Sequence, residues 1–276
     1  MEVAILICTY KRPIGFKKLV DSLAAMTIPP GVTPVLCIAD NNPAPEIDGY
    51  IAEAMDSFPW AWHSVFETQR GYASARNASI ELGLKVCAAG YFCMTDDDEV
   101  VPKNWLTDLM AGTKEFQAEV IVGAYGAANQ SFAHGVPAQT ATTGNVCFSH
   151  RLVSPYGLNL RFNQAFDEQG GEDRDFFERA YQHGARIVKI RGAHIVPHEP
   201  QLGGTIAESM AALRSRLLAI ASLKRNAAAE HRKGFRMFRL GILLLASLLD
   251  LAKAGFLLLT GLIVRLFNYQ KAKAEF

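Results

Sequence analysis

The sequence of 276 residues predicts an α/β fold built on a doubly wound, mostly parallel sheet, followed by a helical C-terminal extension. Three observations predict it. Short apolar runs of strand length alternate with segments whose apolar residues recur at helical spacing, as parallel strands joined by crossover helices require. Thr9, Asp40 and the acids Asp96, Asp97 and Asp98 each lie where an apolar run ends, and such sheets bind ligands at the carboxyl ends of their strands. Beyond Gly203-Gly204 the composition shifts, and the chain reads as helical to its end.

The elements follow in order. Residues 3–8 form a continuous apolar run, a buried strand, with Thr9-Tyr10-Lys11-Arg12-Pro13 as its exit loop. Phe16, Leu19, Val20 and Leu23 place a helix over 16–26, which Pro29-Pro30-Gly31 breaks. Residues 35–39 are a second buried strand, ending in the turn Asp40-Asn41-Asn42-Pro43. A short third strand over 64–66 precedes the loop Gln69-Arg70-Gly71 and a helix over 72–86. Residues 91–94 are a fourth strand, and Thr95-Asp96-Asp97-Asp98-Glu99 leaves its carboxyl end. The second half is less regular, with strands over 120–122, 143–148 and 186–190 and a helix over 173–183. The predicted division is an α/β domain over 1–204 and a helical region over 205–276.

Half of the residues are apolar, enough for a sizeable core. The 28 basic and 27 acidic residues leave a net charge of +1, which argues against nucleic acid as a partner. The five cysteines are odd in number and none has CxxC spacing, so they read as reduced thiols of a cytosolic protein. The first residues offer no secretory signal, because the apolar run is short and its basic residues follow it. GxGxxG and GxxxxGK[ST] are both absent, which disfavours a dehydrogenase and a P-loop ATPase.

Four consecutive acids, residues 96–99, repel one another, an arrangement that costs stability unless a cation sits among them. On an extended segment Asp96 and Asp98 share one side. Their hard oxygens suit Mg2+ or Mn2+, ions that also bind nucleotide diphosphates. The bland alternative is a solvated acidic turn. A second acidic element, Gly170-Gly171-Glu172-Asp173, feeds carboxylates into a helix start. The helix dipole alone accounts for one such acid, but not for two glycines that let a substrate approach the backbone.

These motifs occur in a telling order: Ile7-Cys8-Thr9-Tyr10-Lys11-Arg12-Pro13, Ala39-Asp40-Asn41, Ala75-Arg76-Asn77, Thr95-Asp96-Asp97-Asp98-Glu99 and Gly171-Glu172-Asp173. As a set they resemble the family 2 glycosyltransferases of the Rossmann-like GT-A fold. With Thr143-Gly144-Asn145 and Val196-Pro197-His198-Glu199-Pro200 they resemble the bacterial exopolysaccharide glucosyltransferases of the succinoglycan type. The resemblance covers roughly the first 200 residues.

The resemblance implies an inverting transfer of a hexose from a nucleotide-sugar donor, a UDP-sugar, to a lipid-linked saccharide acceptor. It implies that Thr9 and Asp40 lie at the nucleoside, although Asp40 also fits a plain Asx turn. Arg76 would face the diphosphate or brace the acids, and Asp96 would bind ribose or metal. Asp98, Asp96 and His198 would hold Mn2+ or Mg2+. Asp173 matches the catalytic base, with Glu172 as the rival carboxylate, and Trp105 is either a sugar-stacking wall near the acceptor or a core residue of the helix that follows it. The competing classes are a nucleotidyltransferase, which lacks its glycine-rich phosphate loop here, and a degenerate transferase serving as a membrane-bound nucleotide-sugar-binding subunit.

Between residues 211 and 239 eight Lys/Arg stand against one acid, Glu230. Residues 240–264 then carry only Asp250 and Lys253 as charges. The polar residues fall on one broad face at 100° per residue, the pattern of a helix lying in a membrane interface. A spanning helix, or a helix pair packed on protein, are the other readings. The expected location is the cytoplasmic face of the plasma membrane, bound peripherally or monotopically.

Overall fold

The structure, a computed structural model, describes residues 1–126, 134–168 and 170–197. His198 and the whole 205–276 region lie outside these residues.

The chain begins β1 (Glu2–Thr9), α1 (Pro13–Ala24), β2 (Thr33–Asp40), α2 (Tyr50–Met55), β3 (Trp62–Phe66), α3 (Tyr72–Val86) and β4 (Ala89–Thr95). It continues through β5 (Glu99–Val100), α4 (Trp105–Phe116), β6 (Val120–Val122), β7 (Val136–Ala138), β8 (Asn145–Ser149), α5 (Glu172–Gln182), β9 (Ile187–Lys189) and β10 (Val196–Pro197). Eight strands form one sheet in the order β3-β2-β1-β4-β8-β6-β9-β7, and β5 and β10 form a separate antiparallel pair.

Apolar residues on both sides of the central strands explain why the sheet is covered on both faces. In β1, Val3, Ile5 and Ile7 belong to a core shared with α1, α2 and α4, through Phe16, Leu19, Leu23, Ile51, Trp105 and Leu109. The alternate residues Ala4 and Leu6 belong to a second core shared with α3 and α5, through Ala73, Ile80, Phe176 and Phe177. The helix after β1 therefore lies on one face and the helix after β3 on the other. The strand order reverses between β1 and β4, which opens a crevice at their carboxyl ends.

The expected mostly parallel sheet is present, with two departures, the first being the edge strand β7, which runs antiparallel to β9. β1, β2, β3 and β4 are parallel, as are β6 and β9, but β8 lies between β4 and β6 antiparallel to both. Its apolar run reads the same in either direction, so the sequence did not fix its sense. The start of β8 is anchored by Asn145. Its buried amide accepts from Trp105 Nε1 at 2.9 Å and donates to the carbonyls of Ala124 and Ala193 at 2.9 and 2.7 Å. Trp105 is fully buried, so it is a core residue and not a sugar-stacking wall.

Candidate active site

Three strand ends and two helix starts build the site. In the parallel register of β1 and β2, Thr9 lies opposite Asp40. Asn41, the next residue, ties the neighbouring loops together. Its Nδ2 donates to the carbonyls of Glu67 and Gln69 at 2.8 and 2.9 Å, and its Oδ1 accepts from the Gly71 amide at 3.1 Å. Gly71 opens α3, and a side chain there would collide with Asp167. Asp167 caps that helix start from far along the sequence, accepting from the Ser74 amide at 2.8 Å and from Ser74 Oγ at 2.6 Å.

The acids divide by orientation. Asp97 is buried and accepts from Arg12 Nη1 at 2.9 Å and from the Tyr10 amide at 3.3 Å. Asp96 and Asp98 keep side-chain exposures of 42% and 44%, on the accessible side of the segment. Asp98 takes a second ion pair from Arg12 Nη1 at 2.7 Å. Arg76, one turn into α3, pairs with Asp96 at 3.4 Å and with Glu172 at the start of α5. Although its side chain opens onto the cavities, the protein around it strips water from the Asp96 carboxyl and raises it above its usual range; Arg76 opposes the rise, and the nearby charges of Asp98 and Asp173 add to it. Burial likewise pushes Glu99 up to about 7, with Asp98 and Asp96 adding to the effect.

Two cavities meet at this point. The first, of about 280 Å³, is lined by Thr9, Tyr10, Arg12, Arg70, Asp98 and Asp167 among others. The second, of about 830 Å³, is lined by Tyr125, Thr142, Gly144, Asp173, Arg174 and Lys189 among others. Arg76 and Asp96 line both, so together they form the wall between them. Gly144 leaves the room this requires, because a Cβ there would meet Asp96 Oδ2 at 3.0 Å and the Tyr125 hydroxyl more closely still.

The sequence-predicted residues take distinct places. Thr9, Arg76, Asp96 and Asp98 line the first cavity, and Asp173 lines the second. Asp40 lines neither; it is 2% exposed, and its carboxylate accepts from the Asn42 amide at 3.0 Å, from Asn42 Nδ2 at 2.7 Å and from the Glu46 amide at 2.6 Å. That is the Asx-turn arrangement. Glu172 lines neither cavity and is spent on Arg76. His198 lies outside the described residues; the residue before it, Pro197, is paired with Glu99. Arg12, Asn41 and Asp167 were not predicted. Arg12 left a signal as a basic residue in the loop leaving β1, and Asn41 as part of the turn that ends β2, whereas Asp167 left none.

Among the described residues no set of three or more His, Cys, Asp or Glu side chains converges as a metal cage. The donors present nevertheless fit Mg2+ or Mn2+. Asp96 and Asp98 offer hard oxygens, and Mg2+ typically needs only one or two carboxylates, with water and phosphate completing its shell.

The buried Asp97 generates a pH prediction. Burial pushes its carboxyl from an ordinary value of 3.8 up to about 6, although Arg12 opposes the shift. The folded protein then holds this proton more tightly than the unfolded chain. The cost to stability is absent below about pH 4, grows as pH rises to about 6 and is constant above, on the order of 3 kcal/mol at full size. Urea unfolding with chelator present should find Asp97→Asn gaining on the wild type between pH 4 and 6. A difference between the two proteins that stays flat from pH 4 to 7 contradicts the assignment.

Known proteins place this arrangement. The chain is 26% identical over 216 residues to the succinoglycan biosynthesis protein ExoM of Rhizobium meliloti (strain 1021), covering 72% of this chain and 67% of that protein. Its fold is similar to the crystal structure of S. aureus TarS 1–349, with a TM-score of 0.62 at 15% identity over 88% of this chain and 71% of that one. It is similar too to the mannosyltransferase PcManGT from Pyrobaculum calidifontis in complex with GDP-Man and Mn2+, with a TM-score of 0.64 at 15% identity over 99% of this chain and 80% of that one. The sheet with its crevice is thus the GT-A fold. The sequence profile of glycosyl transferase family 2 matches residues 4–177, a span that includes every strand end and helix start of the site, and the chain belongs to that family.

Proposed function

We propose that this glycosyltransferase is an inverting, metal-dependent hexosyltransferase. It moves a sugar from a nucleoside diphosphate donor, a UDP-hexose, to a lipid-linked saccharide at the cytoplasmic face of the membrane, in exopolysaccharide synthesis. The observation that carries the reading is the pair of cavities sharing one wall, with acids and arginines on the first side and Asp173 on the second. The likeness to ExoM, named for succinoglycan biosynthesis, supports the exopolysaccharide setting. TarS in complex with UDP-GlcNAc supports a UDP-sugar, and the GDP-Man and Mn2+ of PcManGT support a donor bound with a divalent ion.

The donor occupies the first cavity and the acceptor hydroxyl enters the second. Asp173 removes the proton from that hydroxyl as its oxygen attacks the anomeric carbon, and the bond to the diphosphate breaks on the opposite side. One displacement inverts the anomeric centre. Arg76 faces the position where negative charge gathers on the departing diphosphate. Mg2+ or Mn2+ held by Asp96 and Asp98, with His198, would supply further positive charge there. Asp40 braces the loop after β2 that carries Asn41, with Thr9 beside it on β1, toward the nucleoside. The intact set of Asp96, Asp98 and Asp173 favours an enzyme over a degenerate binding subunit.

The membrane assignment rests on the 205–276 region, outside the described residues. Among the described residues no helix is long and apolar enough to cross a membrane.

The function is tested by single-turnover transfer from a panel of nucleotide sugars. Asp173→Asn should lower the rate by about 10²–10⁴ with donor affinity little changed. Asp98→Ala should abolish both transfer and manganese-enhanced donor binding. Near-normal transfer by either folded variant contradicts the role given to that residue. For the membrane, full-length protein should sediment with anionic phospholipid vesicles and protein truncated after Gly204 should not. Full-length protein that stays in the supernatant rules the attachment out.

A further inference from the structure

Glu172 and Asp173 are neighbours at the start of α5, yet they face different surroundings. Asp173 lines the second cavity. Glu172 is 3% exposed, with Oε1 on Arg76 Nη1 and Oε2 buried without a hydrogen-bond partner. Arg76 is itself only 11% exposed, and its other terminal nitrogen, Nη2, reaches Asp96 Oδ1 at 3.4 Å. The guanidinium is therefore strung across the wall between the cavities, pinned at one end by a buried carboxylate. A buried ion pair is typically no more stabilising than apolar residues of similar volume. Stability alone is thus a poor account of this one, which leaves a carboxylate oxygen unpartnered.

We infer that Glu172 is a positioning residue that acts through Arg76. It is too enclosed to reach an acceptor hydroxyl. By fixing one edge of the guanidinium it presents the other edge to Asp96 and the donor cavity, where the diphosphate departs. The next residue, Asp173, faces the acceptor. One helix start thereby sets both ends of the displacement, the proton acceptor directly and the cation at the leaving group through an ion pair. A flexible arginine without this partner would sample several rotamers, and the electrostatic stabilisation would lose its preorganisation. The inference rests on the reading of Asp173 as base.

The experiment is a mutant cycle on the full chain, measuring kcat and donor KM alongside melting curves. Glu172→Gln should lower kcat by about 10–100-fold, somewhat less than direct loss of a transition-state donor, while donor KM moves less than about threefold. Arg76→Gln should lower kcat at least as far. The double variant Arg76→Gln/Glu172→Gln should be no slower than Arg76→Gln, since Glu172 has no effect once its arginine is gone. The double variant buries no lone charge, which keeps the inference testable if a single variant fails to fold. Losses that multiply across the two positions overturn the inference, because Glu172 then acts independently of Arg76. So does a folded double variant with wild-type kcat, because the pair is then purely structural. Wild-type transfer by Asp173→Asn, in contrast, removes the base assignment while leaving the coupling between Arg76 and Glu172 to stand or fall by the cycle.

Discussion

The pairing of Arg76 with Asp96 on one side and Glu172 on the other is the interaction on which the site depends. Its three members come from the first turns of α3, the end of β4 and the start of α5. Each sits where it does because the sheet is wound in both directions from β1. The helices α3 and α5 share one face, so their amino ends both point at the crevice beside the carboxyl end of β4. A guanidinium there meets acids from two directions. It closes the space between two cavities without filling either, and a donor and an acceptor can then approach the same point from opposite sides.

The supports of this interaction are polar and local. Asp167 caps α3 and holds the turn at Gly71, while Asn41 binds that turn to the end of β2. Arg12 occupies Asp97 and leans on Asp98, which leaves Asp96 as the acid that both cavities see. Two arginines divide three of the four adjacent carboxylates, Arg12 taking Asp97 and Asp98 and Arg76 taking Asp96, while loss of water around Asp96, Asp97 and Glu99 still raises each above the usual carboxylate range.

Most of the first half was legible in the sequence because each strand there is a continuous apolar run ending in turn chemistry. The helices over α1 and α3 were legible from spacing and from the glycines and prolines that bound them. The separation of Asp97 from Asp96 and Asp98 was legible but its cause was not, since Asp97 and Asp98 lie in a turn closed by the Glu99 amide donating to the Asp96 carbonyl at 3.2 Å and not on an extended segment. Other features depend on contacts between distant parts of the chain. α2 is only six residues long, too short for a helical spacing to show, and no element was expected there. Asp167 carries no local signal, because the helix it caps begins almost a hundred residues earlier. Asp173 and Glu172 look interchangeable as neighbours in a sequence. The geometry of α5 distinguishes them, since successive residues on a helix point about 100° apart, one into the cavity and one into the wall. For Asp40 the sequence offered both a place at the nucleoside and an Asx turn, and its carboxylate makes the turn contacts with Asn42 and Glu46.

The central claim is that a single displacement occurs across this wall, with the attacking oxygen on the Asp173 side and the diphosphate on the side of Arg12 and Asp98. The anomeric configuration of the product tests it most directly. Proton NMR of the first product formed from an α-linked nucleotide sugar should show a β-linkage alone. An α-linked product would require two displacements or a front-side departure, and would contradict the account.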